Sequence, residues 1–220
     1  MFDKPMRELK KDLLSELGRL LAPHGFTKRS KRLEQSFRKK VAIGWHFFHV
    51  SFIPHKDDFD VTADVAMRVD AVEDLLNQVR KDLSGLPQPK REQKETATIG
   101  AELGNIAGTG QRRWTVNSSR DVVPVASDIV EALKEIGLPY LEKYSDLDRL
   151  LGSLSRHDRN SWHLVPFDDV RRMVVVAVAH VLGRKDLTAR FAEEGKRYFE
   201  GKKGFAAREF PDLLRHIGQP

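Results

Sequence analysis

Phe59-Asp60-Val61-Thr62-Ala63-Asp64-Val65-Ala66-Met67-Arg68-Val69 alternates without a break. Every odd position is apolar, and the even positions hold Asp60, Thr62, Asp64, Ala66 and Arg68. A period of two sends successive side chains to opposite faces of a strand. The odd residues therefore belong to a core, while Asp60, Thr62, Asp64 and Arg68 are expected to face solvent or a shallow groove.

Upstream, Pro54-His55-Lys56-Asp57-Asp58 reads as a turn. Before it, Val41, Ile43, Trp45 and Phe47 are apolar at odd positions, and Phe48, Val50 and Phe52 at even ones. That parity change predicts either a β-bulge or a strand covered on both faces. Residues 32–40 read as a preceding polar strand. The connections are too short for crossover helices, so the three strands form an antiparallel meander. Further upstream, Met6, Leu9, Leu13, Leu14, Leu17, Leu20 and Leu21 recur at spacings of three and four. They predict an amphipathic helix over 5–22, stopped by Pro23-His24-Gly25.

Downstream, Val72, Leu75, Leu76, Val79 and Leu83 predict a helix over 70–83, with Asp70 as N-cap and Glu73 completing a capping-box pattern. Two strands, about 97–104 and 112–117, are expected to form a hairpin through Gly108-Thr109-Gly110. A helix over 121–136 is ended by Gly137-Leu138-Pro139, and a short helix covers about 145–153. Residues 155–166 are polar and aperiodic, which marks an exposed boundary. Helices then run from Asp168 or Asp169 to Leu182, over 186–200 and over 205–217. Val174-Val175-Val176 is assigned to the first of these because an acidic start and the Gly183 stop frame it. The expected fold is α+β: an antiparallel sheet of about five strands with helices packed on one face, in a domain of residues 1–155, followed by a three-helix C-terminal appendage over 156–220.

The chain has 220 residues, of which 40% are hydrophobic and none is cysteine. This composition supports a full core and excludes disulfides, cysteine nucleophiles and thiolate metal sites. No run of about 18 apolar residues occurs, so no membrane-spanning helix is expected. Met1-Phe2-Asp3-Lys4-Pro5-Met6 leads into a charged helix without the apolar segment of a secretory signal, and a cytoplasmic location is expected.

A leading helix ending in Pro23-His24-Gly25-Phe26-Thr27-Lys28-Arg29 is followed by the meander, then by Arg113-Trp114-Thr115-Val116 and the corner Gly137-Leu138-Pro139-Tyr140-Leu141-Glu142. This order resembles the uncharacterised bacterial family known as domain of unknown function 4304, over roughly residues 1–150. The family has no established reaction. The resemblance therefore implies a fold and leaves function open.

Few residues offer chemistry. His46, His49 and His55 lie near Asp57, Asp58, Asp60 and Asp64, but no His-x-His or His-Glu-x-x-His spacing is present, so no metal or other cofactor is expected. The glycines of 104–110 lead into a strand instead of a helix N-terminus, which excludes a phosphate-cradling P-loop. Ser118-Ser119 reads as a helix cap, and no Gly-x-Ser-x-Gly elbow occurs. Asp60 and Asp64 stand about 13 Å apart along a strand, too far to cooperate directly. No catalytic residue is assigned.

The net charge is +6. The run 28–40 holds seven basic residues against one acidic. Lys and Arg neutralise phosphates and release counterions. Trp45, Phe47 and Phe48 follow closely and offer stacking where exposed. The same charges also protect an edge strand from aggregation. The expected function is a non-enzymatic bacterial binding module with a protein partner, in regulation or defence. The alternative is a nucleic-acid-binding protein whose surface comprises Lys28, Arg29, Lys31, Arg32, Arg38, Lys39, Lys40, Trp45, Arg112 and Arg113. An enzyme of unknown class ranks third.

Overall fold

Leu9, Leu13, Leu14, Leu17 and Leu21 line one stripe of α1 (Met6–Leu21), and all five are buried. The computed structural model describes residues 4–29, 35–80 and 95–219. After α1 a single 3-10 turn, Ala22–His24, ends at Gly25, whose φ of 81° suits glycine. The chain then enters the sheet through β1 (Thr27–Lys28), β2 (Ser36–Val41), β3 (Gly44–Pro54) and β4 (Phe59–Val69), which lie side by side in that order. Two short strands, β5 (Ile99–Glu102) and β6 (Trp114–Val116), both pair with β4.

The alternation in β4 is realised fully: Phe59, Val61, Ala63, Val65, Met67 and Val69 are all at most 1% exposed. Lys10 of α1 reaches over the Phe59 ring, and α1 packs on α4 (Val122–Ala132), which also packs on β6. Gly18 of α1 approaches the Phe37 ring, which places α1 over the Phe37 side of the sheet. The parity change in β3 has a simple cause. Register with β2 runs unbroken from Ser36↔His49 to Val41↔Gly44, so no bulge interrupts it. Phe47 and Phe48 point to opposite faces and both are buried, so the strand is covered on both sides there.

The even residues of β4 depart from expectation. Thr62 and Arg68 are buried, and Asp60 and Asp64 are partly buried. Arg68 is drawn inward by acceptors: its Nε donates to Asp70 Oδ1 at 2.9 Å, its Nη1 to Thr96 Oγ1 at 2.6 Å, and its Nη2 to Asp74. Asp70 thus binds Arg68 instead of capping α2 (Asp70–Asn77), whose N-cap is Val69 without a side-chain bond. The expected hairpin also does not form. β6 pairs with residues 59–61 of β4, while β5 lies further along it, with Gly100 against Ala66 and the Val69 N–H donating to Thr98 Oγ1 at 3.0 Å. Between them sits α3 (Leu103–Ala107), too short for its periodicity to show. Glu102 holds this connection by accepting from the N–H groups of Asn105 at 2.9 Å and Arg112 at 3.0 Å. Nor does Gly137-Leu138-Pro139 stop the helix. A π-turn over Leu133–Gly137 leads directly into α5 (Leu138–Ser145). Pro139 falls in its first turn, where a missing N–H breaks no helical bond.

The chain forms two compact units: Met1–Met67 with Gly100–Glu142, and Arg68–Ile99 with Lys143–Pro220. This grouping differs from a division at 155/156, because α2 packs on α8 (Asp168–Val181), and α6 (Leu147–Leu154) packs on both α8 and α7 (Arg159–Leu164). The expected exposed link over 155–166 contains α7, capped by Asp158, with Ser161 fully buried. The second unit is completed by α9 (Lys185–Phe199) and α10 (Phe205–His216). Val174-Val175-Val176 is helical and buried within α8. Among the described residues, no helix is long and apolar enough to cross a membrane.

The α9–α10 contact depends on one glycine. A Cβ at Gly195 would collide with the Phe210 ring. Gly195→Ala is expected to destabilise by about 1–3 kcal/mol through overpacking, although alanine favours the helix by roughly 1 kcal/mol. Urea denaturation checks this. Most of the loss should disappear when Phe210→Leu is introduced first, and an equal loss in both backgrounds contradicts the steric account.

Candidate binding surface

Directly paired residues of an antiparallel ladder share a face. Ser36, Arg38 and Lys40 pair with His49, Phe47 and Trp45, and all six stand on the face opposite α1. Phe37 and Lys39 pair with Phe48 and His46 on the α1 face. Arg29 bonds Ser36 through its backbone, and its guanidinium lies 4.2 Å above the Phe47 ring. Lys28 pairs with Phe37 and so belongs to the α1 face. The basic run is therefore split. Arg29, Arg38 and Lys40 take one side of the sheet, and Lys28 and Lys39 the other. Lys31 and Arg32 lie outside the described residues.

On the face opposite α1 the cations organise around one ring. Arg38 Cζ is 4.6 Å and Lys40 Nζ 4.8 Å from the Trp45 ring centroid. Each such contact contributes about 0.5–2 kcal/mol depending on desolvation. Trp45 is half-buried and Lys40 exposed, so the ring fixes the cations while leaving them accessible.

Arg112 and Arg113 do not join this group. They precede β6, which lies beyond β3 and β4, about 14 Å from β2 at the usual strand spacing. Arg112 covers the Trp114 ring at 4.8 Å, and Arg113 lies 3.5 Å from Asp60 Oδ2.

No protein-family model, curated protein or solved structure matches this chain. Function is therefore read from the side chains themselves.

The three histidines do not converge. His46 is buried on the α1 face, where desolvation, and then the Lys39 charge, lower its pKa to about 4. His49 is on the other face, 2.7 Å from Ser36 Oγ, and is also lowered, mainly by burial. His55 pairs with Asp60 Oδ2 at 3.2 Å. Among the described residues no group of three potential metal ligands occurs. Asp60 is held below the usual carboxylate range, first by the Thr115 hydroxyl donating at 2.8 Å and then by His55 and Arg113. Asp64 goes the other way: burial, and then the Glu102 charge, raise it to about 6. The charged neighbour of Asp64 is thus Glu102 from β5, a pairing that strand spacing alone does not reveal.

A second basic cluster lies on the α1 face. Arg7, Lys10, Lys11 and Lys28 line a cavity of about 680 Å³. Helical spacing groups the α1 cations, and their approach to β1 is set by tertiary packing.

Proposed function

We propose that this protein is a binding module that engages single-stranded nucleic acid through Arg29, Arg38, Lys40 and Trp45. The observation that carries this reading is the placement of Arg38 and the exposed Lys40 over the half-buried Trp45 ring, on the sheet face opposite α1. Cations in this position neutralise phosphates, and guanidinium planes and aromatic rings both stack unpaired bases. Side chains arranged for charge and stacking suit binding without chemistry. The reading fits a cytoplasmic protein, and the resemblance to domain of unknown function 4304 fits a bacterial source.

The test is anisotropy of a labelled single-stranded oligonucleotide over a salt series. Binding should survive physiological salt, with a slope of log K against log salt near −2 for about three neutralised phosphates. Arg38→Glu with Lys40→Glu should weaken it at least tenfold while the fold persists, since partly exposed charges contribute little to stability. Unchanged affinity in that double variant sinks the proposal. So does wild-type binding that vanishes at physiological salt, which a charge of +6 produces nonspecifically.

A protein partner is the second reading, and a separate observation favours it. In the second unit Phe167 and Phe205 are 70% and 44% exposed and line one groove of about 360 Å³ with Leu76 and Met173. Exposed apolar surface of this kind marks interaction sites. A stoichiometric partner recovered from nuclease-treated extract should be lost on Phe167→Ser and Phe205→Ser.

A further inference from the structure

Lys10 and Lys11 follow Arg7 by three and four residues, so about one turn of α1 groups three cations on one side. Lys28 meets them from β1, because it shares a face with Phe37, the residue beneath Gly18 of α1. Gln35 and Phe52, with Met6 and Leu14, complete the walls of the cavity of about 680 Å³. Small-molecule sites are typically about 300–1,000 Å³. Among the described residues, no acidic side chain lines it. Among the described residues, none of the four cations takes part in an ion pair, and the nearby Asp12 is already bound to Lys4 at 3.0 Å. Like charges one helical turn apart repel, so a multivalent anion would relieve several repulsions at once. The floor is apolar and aromatic. Lys10 Nζ lies 5.3 Å from the centroids of both Phe52 and Phe59, whose rings meet edge to face at 5.5 Å.

We propose that this cleft binds a small polyphosphate ester, in class a nucleoside triphosphate. Its phosphates lie among Arg7, Lys10, Lys11 and Lys28, where four cations match the charge of a triphosphate in charge-assisted contacts. Its ring packs against Phe52 and Leu14, within reach of the Gln35 amide. The cleft is on the α1 face, so it is independent of the Trp45 surface.

The experiment is calorimetric titration of the full chain at physiological salt with adenosine triphosphate and, separately, with inorganic triphosphate. Both should bind saturably at one site, and the nucleotide more tightly. Lys11→Glu and Lys28→Glu alter opposite, exposed walls, and each should weaken both ligands by roughly tenfold or more. Phe52→Leu should weaken the nucleotide alone. Lys185→Glu makes the same change in net charge at an exposed position that starts α9 and should leave both affinities unaltered. Unfolding curves establish that each variant is folded. Absence of saturable binding to either anion overturns the proposal. Equal weakening by Lys185→Glu and Lys28→Glu overturns it as well, because net charge alone would then account for the binding. If the nucleotide binds no better than inorganic triphosphate, the ring site is overturned.

Discussion

Arg80→Met is expected to lower the unfolding free energy by about 3–5 kcal/mol, the cost of stripping a buried carboxylate of its partner. Glu73 is 0% exposed, and Arg80 Nη1 donates to its Oε2 at 2.6 Å and to Asn77 Oδ1 at 3.0 Å. The glutamate lies on α2, among Val72, Leu75 and Leu76, in the unit where α2 packs on α8. Methionine keeps much of the volume and none of the charge, so the variant isolates the electrostatic loss. In a chain of this length the melting temperature should fall by roughly 6–20 °C. The diagnostic is the double variant Glu73→Leu with Arg80→Met. Replacing both members of a buried ion pair with apolar groups is often close to neutral, so most of the stability should return. If the double variant is as unstable as Arg80→Met alone, lost packing is the cause and the ion pair is not.

The same residues show what the sequence discloses. β4 was legible because six apolar side chains at strict period two have one solution, a strand with a single covered face. β3 was half legible: its change of parity allowed a bulge or double coverage, and only its register with β2 decides between them. Glu73 was misread because a glutamate three residues after an aspartate has a local use as a cap. Its actual partner is Arg80, seven residues on, in a buried setting that propensity does not describe. The 97–117 region failed for a related reason. Two short strands share one edge of β4, and the Glu102 carboxylate organises the link between them through backbone donors up to ten residues away. The basic run teaches the opposite lesson. Positions 38, 39 and 40 of a strand must alternate between faces, so its division was already implied by the period of two. The meeting of Arg7, Lys10 and Lys11 with Lys28 was not, because it depends on where α1 lands on the sheet.

Acid titration should expose two opposed groups whose effects nearly cancel in the native chain. His46 is 8% exposed, and its pKa of about 4 lies below the unfolded value near 6.5. Between those values the unfolded chain binds the extra proton. The stability it contributes is present above about pH 6.5 and is lost as the pH falls toward 4, a change of roughly 3 kcal/mol. Asp64 has the reverse sign. Its pKa of about 6 lies above the ordinary aspartate value of 3.8, so the folded chain binds the extra proton between them. Its contribution is present below about pH 3.8 and lost as the pH rises through 6, a change of roughly 2–3 kcal/mol. From pH 7 to pH 4 the two therefore offset each other. Asp64→Asn should remove the acid-stabilising half, and its stability should drop by roughly 2–3 kcal/mol more than the native chain over that range. His46→Gln should remove the other half and lose roughly 3 kcal/mol less than the native chain. The two side chains are on opposite faces of the sheet, so the double variant should track the native curve, with near additivity. His49, His157, Asp60 and Asp168 are all lowered and also weaken the fold toward acid, but they are common to every variant and drop out of the differences. Urea denaturation at pH 7, 5.5 and 4 supplies the comparison. Parallel pH curves for Asp64→Asn, His46→Gln and the native chain would show that neither burial governs the titration. Divergence in the stated directions would establish that the sheet carries a proton-linked group on each of its faces.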